Sequence, residues 1–117
     1  MQIELIGQKR IFHYAGDGPL LASEADAIML VEQLYGRDID IIAIPAHRLS
    51  EDFYRLETGF AGAFLQKLQN YGHRVAVVGD VSSWTHSSTA LADFIRESTR
   101  RNLTLFVPDQ AALAAAV

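Results

Sequence analysis

Apolar and polar positions change period several times along this chain, and each change marks the edge of an element. Gln2 to Ile6 and Arg10 to Ala15 are short apolar-rich segments separated by Gly7, Gln8 and Lys9, the pattern of two strands joined by a tight turn. Gly16, Gly18 and Pro19 then form a loop. Ser23, with Asp26 three residues on, resembles a capping box with a shortened acid and predicts a helix start. Ala27, Leu30, Val31 and Leu34 recur at helical spacing until Gly36, which can take the left-handed conformation that ends a helix.

Ile39 to Ile44 is nearly all apolar and mostly β-branched apart from Asp40, and Pro45 closes it. That pattern predicts a strand covered on both faces, and such strands belong to parallel sheets. Ser50 is a second cap candidate, for Glu51 to Leu56. Glu57, Thr58 and Gly59 interrupt the pattern before Phe60, Phe64, Leu65 and Leu68 restore a helical period that Gly72 ends. Arg74 to Gly79 reads as another buried strand, Asp80 to Ser88 as a polar loop, and Leu91, Phe94, Ile95 and Ser98 as one helical stripe. Leu103 to Val107 is the last strand; Pro108 stops it, and Asp109 can cap a short helix in the alanine-rich tail. Strands alternating with helices predict a single α/β domain over 1–117. Its sheet is mixed but largely parallel, with the N-terminal hairpin as the antiparallel edge and helices packed on the faces.

Composition narrows the chemistry. With 117 residues there is length for one core. The chain has no cysteine, which excludes disulfides, thiolate nucleophiles and cysteine-ligated zinc. The opening, Met1 to Phe12, lacks a basic segment followed by an apolar run and a small-residue cleavage site, so the expectation is an untargeted, cytoplasmic protein. No apolar run approaches the roughly 20 residues that span a bilayer. The formal net charge of −4 opposes a nucleic-acid backbone or an anionic membrane as partner. Four histidines, at 13, 47, 73 and 86, show no i, i+4 pair, so neither a metal site nor a cofactor is expected.

The stretch from Asp52 to Lys67 (DFYRLETGFAGAFLQK), with Asn70-Tyr71-Gly72, Val75 to Asp80, Asp93 to Ser98 and Phe106 to Asp109, resembles the bacterial family DUF4180. That family looks related in element order to STAS domains, the anti-sigma-factor antagonist fold. The resemblance implies a STAS-like α/β fold and a regulatory module that binds a protein partner. In STAS antagonists an Asp-Ser-Ser-Gly segment at a helix start carries a phosphate-accepting serine. Thr58-Gly59 occupies the comparable place here, with Leu56 and Glu57 where aspartate and serine would stand.

In an open parallel sheet, sites form beyond the carboxyl ends of the strands, where loops converge and helix N-termini point. The candidates by position are His47 after the first buried strand, Asp80, Ser82 and Ser83 after the next, Asp109 after the last, and Thr58 at the start of the central helix. Thr58, Asp80, Ser82 and Asp109 are expected around one surface region, where a partner or an anionic ligand docks. Arg48 and the helix N-termini would have to outweigh Asp80 and Asp109 for an anion to dock there, which favours a protein partner. Two other functions remain open: a small-ligand or nucleotide binder, and a small hydrolase or transferase using Asp80, Ser82 and His47. Dinucleotide, phosphate-loop and nucleophile-elbow motifs are absent. Trp84 in the polar loop is either a core plug or an exposed contact. Arg96, Arg100 and Arg101 read as a solvated helix face near its C-terminus.

Overall fold

The run of β-branched residues around Ile42 forms the middle of the sheet because its side chains are buried on both faces. The computed structural model describes residues 2–117. Met1, the first residue of the opening segment, lies outside them. Five strands run β1 (Gln2–Ile6), β2 (Lys9–His13), β3 (Ile41–Pro45), β4 (Arg74–Val78) and β5 (Leu105–Val107), and they lie side by side in that order. β1 and β2 are the antiparallel hairpin, and the remaining pairs are parallel. The three buried segments therefore occupy neighbouring places in one sheet, as the sequence predicts.

The longer helices are α1 (Glu24–Leu34), α3 (Phe60–Asn70) and α5 (Thr89–Arg100); short helices α2 (Glu51–Tyr54), α4 (Ser82–Thr85) and α6 (Gln110–Ala116) complete the fold. Each of α1, α3 and α5 links a strand to its immediate neighbour in the same direction across the sheet. Right-handed crossovers of that kind put every connecting helix on one face. Leu30, Phe64 and Leu91 accordingly pack with Phe12, Ile42, Ile44, Val75 and Val77 in one core, with Phe94 against it. The opposite face, formed by Ile11, Ile41, Ala43, Ala76 and Val107, is covered by Leu113 of α6. No described helix is long and apolar enough to cross a membrane.

Two local readings change. Asp80 to Ser88 is not a plain loop: the Asp80 carboxylate accepts a hydrogen bond from the Ser82 amide at 2.8 Å and starts the helical turn α4. The last strand begins only at Leu105, because Asn102 adopts a left-handed φ of 56° and the Leu103 amide returns to Ser98 O to close α5.

Candidate functional site

The carboxyl edge is organised by a buried arginine. Arg48 is 4% exposed and has no carboxylate partner among the described residues. Its Nε and Nη2 donate to Pro19 O at 3.2 and 2.8 Å, and its Nη1 donates to Ala15 O at 2.5 Å and also to Asp17 O. Nη2 reaches the Tyr14 hydroxyl at 3.3 Å, and the guanidinium carbon lies 4.5 Å from the Tyr14 ring centroid. Carbonyl dipoles and a π face thus replace water around the charge. The effect is to tie the loop after β2 to the turn after β3. His47 adds to the same tie: Gly16 O accepts a hydrogen bond from its Nε2, which must therefore carry the proton. Leu21 and Ser50 complete the join through backbone bonds of 2.8 and 3.0 Å. Arg48 is consequently unavailable to offset Asp80 and Asp109.

Thr58 is exposed, and its hydroxyl points back into its own turn. Oγ1 shares its hydrogen between Asp52 O at 2.8 Å and Arg55 O at 2.9 Å, and accepts from the Phe60 amide at 3.2 Å. Gly59, at φ 77°, makes the left-handed step from that turn into α3. Asp109 caps α6 by accepting from the Ala112 amide at 2.8 Å. Ser83 is exposed on α4, where its carbonyl accepts from the Ser87 hydroxyl at 3.4 Å.

Asp80 and Ser82 do come together, beside Pro108, on a hollow of about 280 Å³ floored by Ile95 and Phe106. Hydrogen bonds from the Ser82 side chain and amide, with the His86 charge nearby, hold the Asp80 carboxyl below the usual carboxylate range. A carboxylate stabilised in that way is a weaker base, which counts against Asp80 activating Ser82. His47, which the hydrolase reading also needs, is engaged with Gly16 on the β2 side of the edge. Among the described residues no three His, Asp or Glu side chains gather as a metal site.

Trp84 proves to be a plug. Its indole stacks on Tyr54, whose buried hydroxyl donates to Ala46 O at 2.6 Å. Burial pushes the Tyr54 phenol pKa up. Arg96 and Arg100 pair with Asp93 and Glu97 on the exposed face of α5, and the Arg100 contact lowers the Glu97 pKa.

A second and larger hollow at this edge involves none of the expected residues. A groove of about 920 Å³ runs where β1 begins and β2 and β3 end, and its polar lining includes Gln2, Glu4, His13, Tyr14, Gln33 and Gln110. Within it, His13 Nε2 lies 2.7 Å from Glu4 Oε1; the histidine side chain is 17% exposed and the glutamate 57%.

A family model described as a domain of unknown function, DUF4180, matches residues 6–117. The chain belongs to the DUF4180 family. Comparison with curated proteins and with solved structures gives no match, so the likeness to STAS domains stays an expectation from element order.

In this DUF4180 domain the matched span covers Arg48, the β4–β5 hollow and most of the groove, whereas Gln2 and Glu4 precede it. Sequence reasoning passed over His13 and Glu4 because neither stands in a motif. The signal was the hairpin register, which pairs Gln2 with His13 and Glu4 with Ile11. Glu4 and His13 are therefore diagonal neighbours on one face. Arg48 carried no comparable signal, since its partners are carbonyl groups about thirty residues earlier and carbonyls leave no trace in side-chain identity.

Proposed function

We propose that this DUF4180 domain is a binding module of the regulatory kind, which takes a small polar molecule in the groove beside the β1–β2 hairpin. One observation carries the reading: a groove of about 920 Å³ at the carboxyl edge holds a histidine–carboxylate pair and three amide side chains. Its size suits a small ligand, and its position is where open α/β sheets bind them. Amides can both donate and accept, Glu4 accepts, and the Phe12 and Pro45 surfaces supply an apolar wall. Titrating small amines, sugars and nucleotides against the domain, followed by amide chemical shifts, tests this. A ligand of the groove moves the signals of residues 13–16 and 110 and raises Tm in the wild type but much less in His13→Ala. Shifts confined to residues 79–85 instead sink the groove reading.

A protein partner is a second reading, favoured by the β4–β5 hollow, where exposed Asp80 and Ser82 rim the half-buried Ile95 and Phe106. Apolar floor with polar rim is the anatomy of a small contact patch. Asp80→Lys should abolish such an association, and unchanged capture of the partner counts against it.

A further inference from the structure

At the opposite edge of the sheet, where the strands begin, lies a hollow of about 400 Å³ that the carboxyl-edge readings leave unexplained. It is lined by Tyr35, Tyr71, Asp38, Asp40 and His73. The two tyrosines are the C-cap residues of α1 and α3 and are 86% and 60% exposed. Singly exposed aromatics need no explanation, but two converging on one hollow beside carboxylates do. We propose that this hollow binds an alkylammonium cation, the group carried by small amines and by lysine side chains.

Four features of the surroundings agree in sign. The 11-residue helices α1 and α3 both end here, so their negative dipole ends face the same space; α1 has no basic residue in its last turn, and α3 has one, Lys67. Asp38 and Asp40 add carboxylates; Asp40 Oδ2 accepts a 2.8 Å hydrogen bond from the Arg10 amide. The tyrosine rings offer π faces of the kind that hold ammonium groups. His73 is 8% exposed, and its Nδ1 must donate to Ile39 O at 2.8 Å. In the neutral ring that leaves Nε2 a lone-pair acceptor, with no partner among the described residues. Of the cationic side chains nearby, Arg74 donates to Leu103 O and Asn102 Oδ1, whereas Arg10 Nε donates to Arg37 O in the loop that carries Asp38, and Arg37 stands next to Asp38 in sequence. The polar side chains that line the hollow itself are the two carboxylates, the two tyrosines and His73, with no lysine or arginine among them, so an ammonium group suits it better than an anion.

The test is a titration of the full chain with butylammonium chloride, read by amide chemical shifts, with sodium chloride and butanol as controls. Butylammonium should move the signals of residues 35–40 and 71–73 in a saturable way that neither control reproduces. Tyr35→Ala or Tyr71→Ala should each weaken binding about threefold, and the pair together about tenfold. Asp38→Asn is the second kind of variant: asparagine tolerates the φ of 56° found at Asp38, so the fold is kept while the charge is lost. It should also weaken binding. A peptide with one central lysine separates the sources: tighter binding than butylammonium points to a protein side chain, and equal binding to a free amine. Shifts matched by sodium chloride, or affinity unchanged in Asp38→Asn and in the double tyrosine variant, overturn the proposal. Because the groove beside His13 is at the other edge, its His13→Ala variant should bind butylammonium normally.

Discussion

The indole of Trp84 lies flat on the ring of Tyr54, with centroids 5.1 Å apart and planes 9° from parallel. A residue of the segment after β4 thereby covers α2, which follows β3, and joins two carboxyl-edge segments that share no regular hydrogen-bond ladder. Trp84→Ala should remove that cover and cost about 2–3 kcal/mol, below the roughly 3–5 kcal/mol of a fully buried aromatic because the side chain is only half-buried. Trp84 is the sole tryptophan, so chemical denaturation of the wild type can be followed by its fluorescence and the variant by circular dichroism. A loss under about 0.5 kcal/mol would show that the stack closes nothing.

Tyr54 beneath it gives a pH prediction. Burial raises its pKa in the folded chain above the ordinary value of about 10. The stability this group contributes is therefore complete below pH ~10 and is lost as pH rises beyond it, because the unfolded chain ionises first. Tyr54→Phe should cost about 1 kcal/mol near neutral pH, through the lost hydrogen bond to Ala46 O, and should flatten the alkaline fall in Tm. Equal alkaline slopes for wild type and variant contradict the assignment.

Arg48 is the residue whose replacement should be felt furthest. Lysine keeps the charge but cannot reach Pro19, Ala15 and Asp17 at once. Arg48→Lys should lower stability by about 2–4 kcal/mol and speed amide exchange in residues 15–21 before the rest of the chain. Gly18 bears on the same contact, since a Cβ there would stand 2.8 Å from Arg48 Nη2 at a φ of 124°. Gly18→Ala should reproduce the loop loosening, and uniform exchange in both variants refutes a local clamp.

Thr58 tests the regulatory expectation directly. Its hydroxyl joins the α2 turn to the first amide of α3, so Thr58→Ala should cost about 1 kcal/mol and Thr58→Ser almost nothing. A phosphate-accepting role predicts instead that Thr58→Ala is stable but alters partner capture. Thermal denaturation beside a capture assay separates the two.

Phe64, fully buried at the centre of the helical face, is the position where the sequence argument alone is strongest. Phe64→Ala should destabilise by roughly 3–5 kcal/mol, measured by chemical denaturation, and a loss below about 1 kcal/mol would mean the helix face is misassigned.

What the sequence determined by itself was everything carried by local period. The apolar runs Ile41-Ile42-Ala43-Ile44 and Val75-Ala76-Val77 declare buried strands wherever they stand in a chain. Phe64 and Leu68 declare a helix face, and Pro108 with Asp109 a stop and a cap. These are short-range facts, set by backbone sterics and by the water that apolar side chains avoid.

Only the tertiary structure decided which polar groups meet. Arg48 reads as a loop cation until chain packing brings three carbonyls from residues 15–19 around it. Thr58, Asp80 and Asp109 stand at the right ends of the right elements, yet each satisfies a backbone group in its own turn or helix. The orphan amides and carbonyls of a helix end lie nearer than any ligand, and capping them recovers a hydrogen bond at little entropic cost. The groove beside His13 and the hollow between Tyr35 and Tyr71 arise from the consecutive strand order, which lines up strand ends and helix ends along two opposite edges. Strand order is a long-range choice among pairings of similar local quality, so no single segment records it.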